Sequence, residues 1–576
     1  MNIYTTTIFL SIIAYVFVGN FVGRKVKGLE DYFVVSRQAP VLLISGTLVA
    51  SFLSTGTYMG WAGLVYEFNV GWLVLPSLVL AGYIYGSLYF GRYLRRSRCL
   101  TVAEYFAKRF DSRRLQVIAG ITVMIGISVY LIAVSQALAL ILANLTSLSY
   151  AQGLIVVWLS YTSFTFYSGS KGIVITDTMM FLLFTVVTFL GMMAIFGEHG
   201  GWVVAMEKLV SLDGKENLMA WHGRAGPGQE FESPSEFLIW FLIGGVAMSL
   251  VTAISPWQSS RYLMAKDEHV VLRSACVAAI SLGVLQAMVQ AAVGVVNLSN
   301  SAIEPRDEVL IWAALNMMPP MIGALLLAGI VAAALSSAST FLSLIGFNLS
   351  HDIFSKETGD ERDKLKFSRL MMLVASLLVL FVCLLIEPNI FWLTFFAATM
   401  FASAWGPVAL MSIGSSRVTE SAAFWGIISG FLGNIIPKLL TGWDLIELPV
   451  YLDPILLGAF VSLAVVLIMM SKTTVTGKGE RYRQAILRIP EEDIDNQAVK
   501  KSLGYAYTLG VFGILMTVLM IVFYVIPYQK ALSSSSQKFQ FDWLSGEAIG
   551  SYSWSIIFLF LSTLLVRRIR QDYSID

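Results

Sequence analysis

The sequence predicts an all-α polytopic membrane protein of about fifteen spans, with its N-terminus outside and its C-terminus inside. The first observation is composition. Of the 576 residues, 57% are hydrophobic and 13% are charged, which is more apolar surface than a soluble chain of this length can bury. The second is a succession of apolar runs of about 20 residues, the length that crosses a bilayer. The third is the alternation of basic and uncharged loops between the runs.

Each apolar run is one predicted span. No basic segment precedes the first run, so we expect a retained span there and not a signal peptide. The predicted spans are 2–22, 39–68, 71–91, 115–145, 151–168, 172–196, 235–256, 270–298, 321–350, 366–386, 390–414, 420–440, 449–470, 503–527 and 549–566. The basic loops are 23–37, 92–114, 259–273, 351–369, 472–501 and the tail from Arg567. Because these loops alternate along the chain, they lie on the inner side under the positive-inside rule.

Two blocks of five predicted spans, 39–196 and 235–414, form the expected core. Because five is an odd number, the second block enters the membrane from the opposite side, as in inverted-repeat transporters. Residues 1–38 are then a leading helix and loop, 197–234 an outer loop, and 415–576 accessory helices. The leading span of each block should be interrupted, which indicates a central site between the blocks. The helix-breaking residues are Gly46, Gly56, Gly60 and Gly63 in one block and Gly244, Gly245 and Pro256 in the other.

Two predicted loops are long. The outer loop contains an amphipathic segment, 202–210, that either covers the mouth of a pathway or lies as a surface helix. The inner segment 471–502 is highly charged, and we expect it to be partly disordered. No basic-aromatic platform indicates a nucleic-acid partner, and neither the three cysteines nor the four histidines have metal-ligand spacing.

The span 321–350 carries four hydroxyl side chains within five residues. On a helix, Ala333, Ser336, Ser337 and Thr340 share one face, with Ser339 at its edge. Clustered hard oxygens suit a small hard cation. Small hydroxyl residues also allow close helix packing or bond to their own backbone. The stretch alone leaves both interpretations open.

Asp177 is the acidic residue that the span prediction places deepest in the membrane. It lies about 9 Å into its helix at 1.5 Å per residue, too deep to be an N-cap. The charge pattern places no Lys or Arg at this depth, so a bound cation is the expected counter-charge, with Thr176 offering a further oxygen. The alternative is a carboxylate that reaches back to the inner interface. Asp453, followed by Pro454, is expected to cap a helix.

Other polar groups within the spans have two possible roles. They are either part of a binding site or helix–helix hydrogen bonds. These groups are Ser54, Thr57 and Tyr58 in the second span, Gln136 in the fourth and Thr399 in the eleventh.

Several segments in order along residues 1–470 resemble the sodium:solute symporter family, which includes sodium/glucose, proline, pantothenate and sialic acid carriers. The similar segments are Gly28–Arg37, Thr101–Phe110, Gly172–Met180, Trp257–Lys266, Ala333–Thr340 and Ala404–Pro407. The resemblance implies a LeuT-like fold of five plus five inverted helices, with one leading and about four trailing helices.

The resemblance also implies a set of site residues. One sodium ion would be held by the backbone carbonyls of Ala50, Leu53 and Ala333 and the hydroxyls of Ser336 and Ser337. A second would be held by Asp177, Ser336, Ser339 and Thr340, although Phe52 and Met180 depart from the pattern of members with that site. The solute would lie beside the unwound part of the first core helix, where Ser54 and Thr57 match substrate-contacting positions. Tyr58, Gln136 and Thr399 are further candidates.

The sequence therefore predicts a sodium-coupled symporter that imports a small organic solute by alternating access across the plasma membrane. The solute is expected to be an amino acid, vitamin or monocarboxylate. Sodium, the solute and the lipid bilayer are the expected partners, with no organic cofactor and no nucleic acid. The alternatives are a sodium-independent facilitator and a transporter-like sensor. An enzyme is not expected, because Asp177 has no titratable mate facing a cavity.

Overall fold

The computed structural model describes residues 2–68, 75–229, 231–354, 360–533 and 539–573. Within these ranges the secondary structure is helical apart from one isolated bridge between Ala39 and Ala265. The predicted all-α class is therefore confirmed.

The helices fall into three groups along the chain. Those up to the outer loop are α1 (Ile3–Gly23), α2 (Leu29–Val34), α3 (Val41–Phe52), α4 (Ala62–Glu67), α5 (Leu75–Gly86), α6 (Arg92–Ser97), α7 (Val102–Phe110), α8 (Arg113–Leu145) and α9 (Tyr150–Glu198). Those of the outer loop and second block are α10 (Trp202–Val210), α11 (Pro234–Ile254), α12 (Pro256–Leu263), α13 (Glu268–Val296), α14 (Val309–Asn316), α15 (Pro320–Phe347), α16 (Glu361–Leu385) and α17 (Ile390–Gly414). The remainder are α18 (Glu420–Gly442), α19 (Pro454–Lys472), α20 (Gly477–Leu487), α21 (Asn496–Met520), α22 (Ile526–Leu532) and α23 (Gly546–Asp572).

Many of these helices are long and apolar enough to cross a membrane. In the described residues there are 12 such helices, or up to 13 if the bent pair Val41–Phe52 and Gly56–Glu67 is one span. The difference between these 13 and the fifteen predicted spans has two sources. Span 71–91 begins outside the described residues, and spans 151–168 and 172–196 lie together in α9. The span count and the sidedness of the termini stay predictions.

The long helix α9 is two helices that run in opposite directions. Its 49 residues would extend about 74 Å if straight, more than twice the thickness of a bilayer core. Gly169 has φ 51°, ψ −151°, a conformation that glycine adopts readily. Before it, Phe164 packs against Gly19 of α1 and Ser168 against Gly23, whereas after it Gly172 lies back at the level of Gly19. The chain therefore reverses at Gly169, between the two predicted spans.

The leading helix of each block is interrupted, as predicted. Between α3 and the π-helical turn Gly56–Trp61, the chain leaves helical geometry at Leu53 (φ −75°, ψ 95°) and bends by 51°. Between α11 and α12 it does so at Ser255 (φ −56°, ψ 145°). The second break follows from Pro256, which disfavours helical geometry in the residue before it.

The helix with the hydroxyl stretch, α15, lies in the centre of the fold. All its residues from Leu326 to Phe347 are buried, whereas α19 at the periphery buries only Ile455, Gly458, Ser462 and Val466. The hydroxyls therefore face neighbouring helices and not lipid. Asp453 accepts a hydrogen bond from the Ile455 N–H (2.8 Å) ahead of Pro454, so its expected capping role is confirmed.

The inner segment 471–502 is ordered, so the prediction of partial disorder is wrong. We call its residues 473–495 the inner strap. They include α20, and they are held largely by contacts to backbone carbonyls. Arg96 donates to Ile486 O (3.1 Å) and Leu487 O (3.0 Å), and Tyr482 donates to Ser97 O (3.0 Å). Composition predicts solvation of a charged segment but does not reveal such specific partners.

The outer loop packs against the last helices of the chain. The predicted amphipathic segment forms α10, and Trp202 Nε1 donates to Phe523 O (2.8 Å). The Tyr524 hydroxyl donates to Met219 O (2.7 Å), and the Trp221 N–H donates to Glu547 Oε1 (3.0 Å). The trailing helices thus hold the described part of the outer loop in place.

Candidate functional site

Asp177 joins three helices at the centre of the fold. Its side chain is fully buried in the second half of α9. One carboxylate oxygen accepts a hydrogen bond from Thr47 of α3 (2.5 Å) and the other from Ser336 of α15 (2.7 Å). The carboxylate therefore lies in the interior and not at the inner interface. Sequence reasoning missed Thr47, which precedes the break at Leu53 by six residues.

Arg261 is the counter-charge of Asp177. The loop pattern placed Arg261 in the inner loop 259–273, and the expectation that no Lys or Arg lies at the depth of Asp177 is wrong. Arg261 is 1% exposed, and its Nη2 lies 3.8 Å from Asp177 Oδ2. The same nitrogen donates to the Thr340 hydroxyl. The chain re-enters the core after the break at Ser255, and α12 carries the guanidinium inward.

The contacts of α9 fix the relative directions of α3 and α15. Thr47 pairs with Asp177, and Tyr58 pairs with Thr188 (3.0 Å), so the first core helix runs parallel to the second half of α9. Ser336 pairs with Asp177 and Gly329 packs against Val187, so α15 runs antiparallel to it. It follows that α3 and α15 are antiparallel.

This antiparallel arrangement places Ala50 and Ala333 at the same level. Thr47 and Ser336 both contact Asp177. Three residues forward along α3 leads to Ala50 and three residues back along α15 leads to Ala333, each about 4.5 Å further along its axis in the same direction. The sequence predictions for a first sodium site on the two helices are therefore compatible with one another in space.

The break in α3 frees backbone oxygens at this level. The Leu53 N–H still donates to Val49 O (2.9 Å), whereas the Thr57 and Tyr58 N–H groups both donate to Ser54 O. In the described part of the chain, Ala50 O and Leu53 O receive none of the backbone N–H bonds that a continuous helix would supply. Buried carbonyls without donors are costly unless something else satisfies them.

The Ser337 hydroxyl is a further oxygen without a partner. It is fully buried on α15, and no hydrogen-bond partner is present among the described residues. Its neighbour Ser336 donates to Asp177 and keeps lone pairs free to accept. The two freed carbonyls and the hydroxyls of Ser336 and Ser337 are uncharged hard oxygens, the kind of ligand that an alkali cation needs in place of water.

The residues expected to hold a second sodium ion all have partners within the protein. Asp177 has three, Thr47, Ser336 and Arg261. The Ser339 hydroxyl donates to Ser336 O (2.9 Å), and the Thr340 hydroxyl accepts from Arg261. Thr176 bonds back to Gly172 O (3.0 Å) and Ile173 O (3.1 Å). The carboxylate and hydroxyls do lie together, but a guanidinium lies among them.

A narrow cavity adjoins the break in α3. Thr57, Phe52 and Trp61 line it from the broken helix, and Gln286 and Gln290 line it from α13. The Thr57 hydroxyl donates to Phe52 O (3.4 Å). The remaining described lining residues are Ala62, Pro76, Val79, Met248 and Val289. None of the described lining residues is charged.

Sequence reasoning missed Gln286 and Gln290. Their amide oxygens are buried and have no partner in the described residues. The two residues are four apart on α13 and therefore share one face of the helix. Their spacing within the apolar run 270–298 was the available signal, since a pair of amides one turn apart is unusual in a membrane span.

The other predicted substrate groups are directed elsewhere. The Ser54 hydroxyl accepts from the Gly56 N–H (3.1 Å) inside the break, and Tyr58 bonds to Thr188. The Gln136 amide donates to Ile386 O (2.8 Å), just beyond the C-terminal end of α16. Thr399 bonds back to Phe395 O (2.8 Å) in its own helix. Thr57 is the one of the five that lines the cavity described above.

Comparison with known proteins identifies the family. The model of the sodium:solute symporter family matches residues 32–430, more than half of the chain. The chain belongs to this family. The family membership and the long apolar helices together show that the protein is a multi-pass membrane protein of the sodium:solute symporter family.

Curated relatives cover most of the chain at low identity. The sodium/pantothenate symporter of Haemophilus influenzae is 23% identical over 448 residues, which covers 75% of this chain and 88% of the relative. The sodium/proline symporter of Salmonella typhimurium is 23% identical over 509 residues, covering 84% and 96%. That of Escherichia coli is 24% identical over 466 residues, covering 76% and 89%.

A solved structure confirms the fold. The substrate-bound, outward-open state of a Na⁺-coupled sialic acid symporter has a TM-score of 0.70 with 18% sequence identity. The match covers 83% of this chain and 99% of the other. The LeuT-like fold expected from the sequence is confirmed, and the remaining 17% of the chain lies outside this match.

Proposed function

We propose that the protein imports a small organic solute together with sodium across the plasma membrane. Family membership supports sodium-coupled symport in general. The observation that carries the proposal for this chain is the junction of α3 and α15. There the break in α3 leaves Ala50 O and Leu53 O without backbone N–H donors among the described residues. The neighbouring helix α15 carries the unpartnered hydroxyl of Ser337.

The proposed sodium site consists of five oxygens. They are the carbonyls of Ala50, Leu53 and Ala333 and the hydroxyls of Ser336 and Ser337. Because each is uncharged, an ion bound there brings a net positive charge into the membrane field. Moving that charge inward gains about 2.3 kcal/mol per 100 mV of membrane potential, to which the sodium gradient adds.

The proposed solute site is the cavity beside the break. The two sites share the broken segment, since Leu53 supplies a sodium ligand while Phe52 and Thr57 line the cavity. An ion that orders this segment also shapes the wall of the cavity. Sodium binding and solute binding should therefore raise each other's affinity by the same factor, as linkage requires.

The cavity favours a small solute that hydrogen-bonds through its own polar groups. Gln286 and Gln290 each offer an N–H donor and a carbonyl acceptor, and Thr57 adds a hydroxyl. Because no described lining residue is charged, a solute carboxylate would have the bound sodium as its nearest proposed counter-charge. Phe52, Trp61 and Met248 suit an apolar portion of the same molecule.

Alternating access would use the two blocks, 39–196 and 235–414, as the moving parts. The interrupted helices α3 and α11–α12 begin the two blocks, which supports an inverted repeat around the central site. With basic loops inside, the N-terminus lies outside and the C-terminus inside. In this orientation the inner strap lies on the cytoplasmic side of the membrane, and the outer loop lies on the outer side.

Uptake by proteoliposomes tests this proposal against the sodium-independent facilitator. Ser337→Ala should abolish sodium-dependent uptake, because it removes the unpartnered ligand while leaving Asp177 and its partners intact. Ser376→Ala is the matched control, since that serine is also buried and, among the described residues, bonds to Leu373 O of its own helix. Equal uptake in sodium and choline by the unmodified protein would contradict the proposal.

A further inference from the structure

A second cavity lies at the end of the fold that carries the outer loop, between that loop and the last helix. It has a volume of about 270 Å³, and four aromatic residues line it, Trp221 of the outer loop, Phe237 and Phe241 of α11, and Tyr524. Glu547 of α23 is the charged residue among its described lining residues. This cavity shares no described lining residue with the cavity beside the break in α3.

Glu547 is a buried carboxylate without a cationic partner. It is 6% exposed, and no ion pair in the described part of the chain involves it. Its Oε1 accepts the Trp221 N–H (3.0 Å), whereas no hydrogen bond from the described residues reaches Oε2. The buried Glu268, by contrast, pairs with Arg96 at 2.6 Å. Burying a glutamate is costly unless the charge is paired.

The position of Glu547 in the first turn of α23 offsets part of its charge. A helix N-terminus carries about half a positive elementary charge, which stabilises an acidic side chain there. The remaining negative charge and the free oxygen Oε2 favour a ligand that is a cation and has an N–H donor. The aromatic residues favour the same ligand, because the faces of aromatic rings attract cations.

The cavity lies at the level of the lipid headgroups. Its lining residues on α11 and α23 fall within about 10 Å of the first residue of each helix. Two of them, Leu238 and Ile549, are 42% and 55% exposed on helices long enough to span the membrane, so they face lipid. Trp543, just before α23, is 62% exposed, and tryptophan is enriched at membrane interfaces. A membrane lipid therefore has access to the cavity from the side.

We propose that this cavity binds the ammonium group of a phospholipid in the outer leaflet. The ammonium group donates a hydrogen bond to Glu547 Oε2 and lies among the aromatic residues, while the acyl chains pass Leu238 and Ile549 into the bilayer. No described lining residue is basic, so the lipid phosphate lies outside the cavity. The bound lipid joins the second block to α23, which lies beyond residue 430, where the match to the family model ends.

Native mass spectrometry of the purified full-length protein in a non-ionic detergent tests the proposal. The protein is mixed with equal amounts of phosphatidylethanolamine and phosphatidylglycerol that have the same acyl chains, so that only the first lipid supplies an ammonium group. The unmodified protein should retain one phosphatidylethanolamine per chain with a preference of at least about tenfold, because a buried charge pair is then completed. Glu547→Gln keeps the size of the side chain but removes its charge, and it should abolish this preference.

Glu236→Gln is the matched control. Glu236 lies in the first turn of α11, at the same end of the fold, and accepts a hydrogen bond from the Glu232 N–H (2.8 Å), but it is not among the described lining residues. This variant should keep the full preference. Phe241→Leu keeps the charge and an apolar side chain, and it should lower the preference about two- to fivefold through the loss of one ring face.

Four outcomes would overturn the proposal. The first is equal retention of the two lipids by the unmodified protein, and the second is an unchanged preference in Glu547→Gln. The third is displacement of the retained lipid by excess soluble ethanolamine, which would assign the site to a free amine. The fourth is an unchanged preference in Phe241→Leu, which still decides if Glu547→Gln does not fold. Because the assay contains neither sodium nor solute, its result is independent of the proposed function.

Discussion

Replacing Asp177 with asparagine would leave the Arg261 guanidinium in the core without a counter-charge. The substitution preserves side-chain size, and an amide oxygen still accepts one of the two hydroxyl bonds from Thr47 and Ser336. What is lost is the negative charge 3.8 Å from Nη2. Asp177→Asn is therefore a test of the buried ion pair more than of packing.

The magnitude follows from the distance and the burial. Two unit charges 3.8 Å apart attract by about 4 kcal/mol at an effective dielectric constant of about 20. Removing one partner of a fully buried pair typically costs about 3–5 kcal/mol, because the remaining charge is uncompensated. We expect Asp177→Asn to lower the free energy of unfolding by an amount in that range.

A double variant isolates the charge from the rest of the site. Asp177→Asn/Arg261→Met removes both charges and retains an unbranched side chain, so it should recover to within about 2 kcal/mol of the unmodified protein. The assay is SDS-induced unfolding in mixed lipid–detergent micelles, in choline buffer so that no sodium fills the site. The matched control is Glu492→Gln, which breaks the exposed pair with Arg98 at 3.2 Å and should cost less than about 1 kcal/mol.

Two results would refute this reasoning. One is a cost for Asp177→Asn no larger than that of Glu492→Gln, which would mean that the pair is solvated in the membrane. The other is a double variant no more stable than Asp177→Asn alone, which would mean that the guanidinium is not the source of the cost.

Three further predictions concern the cavity, the inner strap and helix packing. Gln290→Leu should lower uptake of the identified solute at least tenfold, while ²²Na⁺ binding stays within twofold of that of the unmodified protein, since Gln290 lines the cavity and is not a proposed sodium ligand. Loss of both solute uptake and ²²Na⁺ binding would contradict separate sites. Burial near Glu268 and Asp267 raises the pKa of Asp493 to about 7, so the folded strap binds protons more tightly than an unfolded one. The stability of the strap should therefore fall as pH rises from about 4 to 7 and level off above pH 7. Hydrogen exchange of the strap amides, normalised to their intrinsic rates, measures this stability. Asp493→Asn should flatten the dependence of strap stability on pH, and an unchanged pH dependence in this variant would contradict the assignment to Asp493. Gly82→Ala should lower the melting temperature, because the added Cβ would lie 1.9 Å from Ser249 O. Gly504→Ala is the control and should leave the melting temperature unchanged, because no described atom lies within 4 Å of the added Cβ.

The fold was predictable because apolar length and helix breaks are local signals. Pro256 and the glycines after Leu53 mark the two interruptions within a few residues of where they occur. The reversal at Gly169 lies in the short gap between the predicted spans 151–168 and 172–196. The inner strap was not predictable, because its order comes from long-range bonds such as Arg96 to Ile486 O, which composition does not encode.

The site was partly predictable for the same reason. The hydroxyl stretch and Asp177 stand out in the sequence because polar groups in an apolar run are costly without a purpose. Arg261 did not stand out, since charge counting assigns every arginine near a span end to the nearest loop. Whether the chain after Ser255 turns into the core or out to water depends on packing. The glutamine pair on α13 could be recognised as a site only once the structure placed it beside the broken helix α3.

Solute uptake driven by a sodium gradient is the most direct test of the account. Purified protein in proteoliposomes, with the potential clamped by valinomycin and potassium, would be offered radiolabelled L-proline, pantothenate and a wider panel of small solutes. We predict that one solute accumulates against its gradient in sodium and not in choline, and that Ser337→Ala abolishes this accumulation while Ser376→Ala does not. Accumulation that is equal in choline, or that survives Ser337→Ala unchanged, would contradict the central claim.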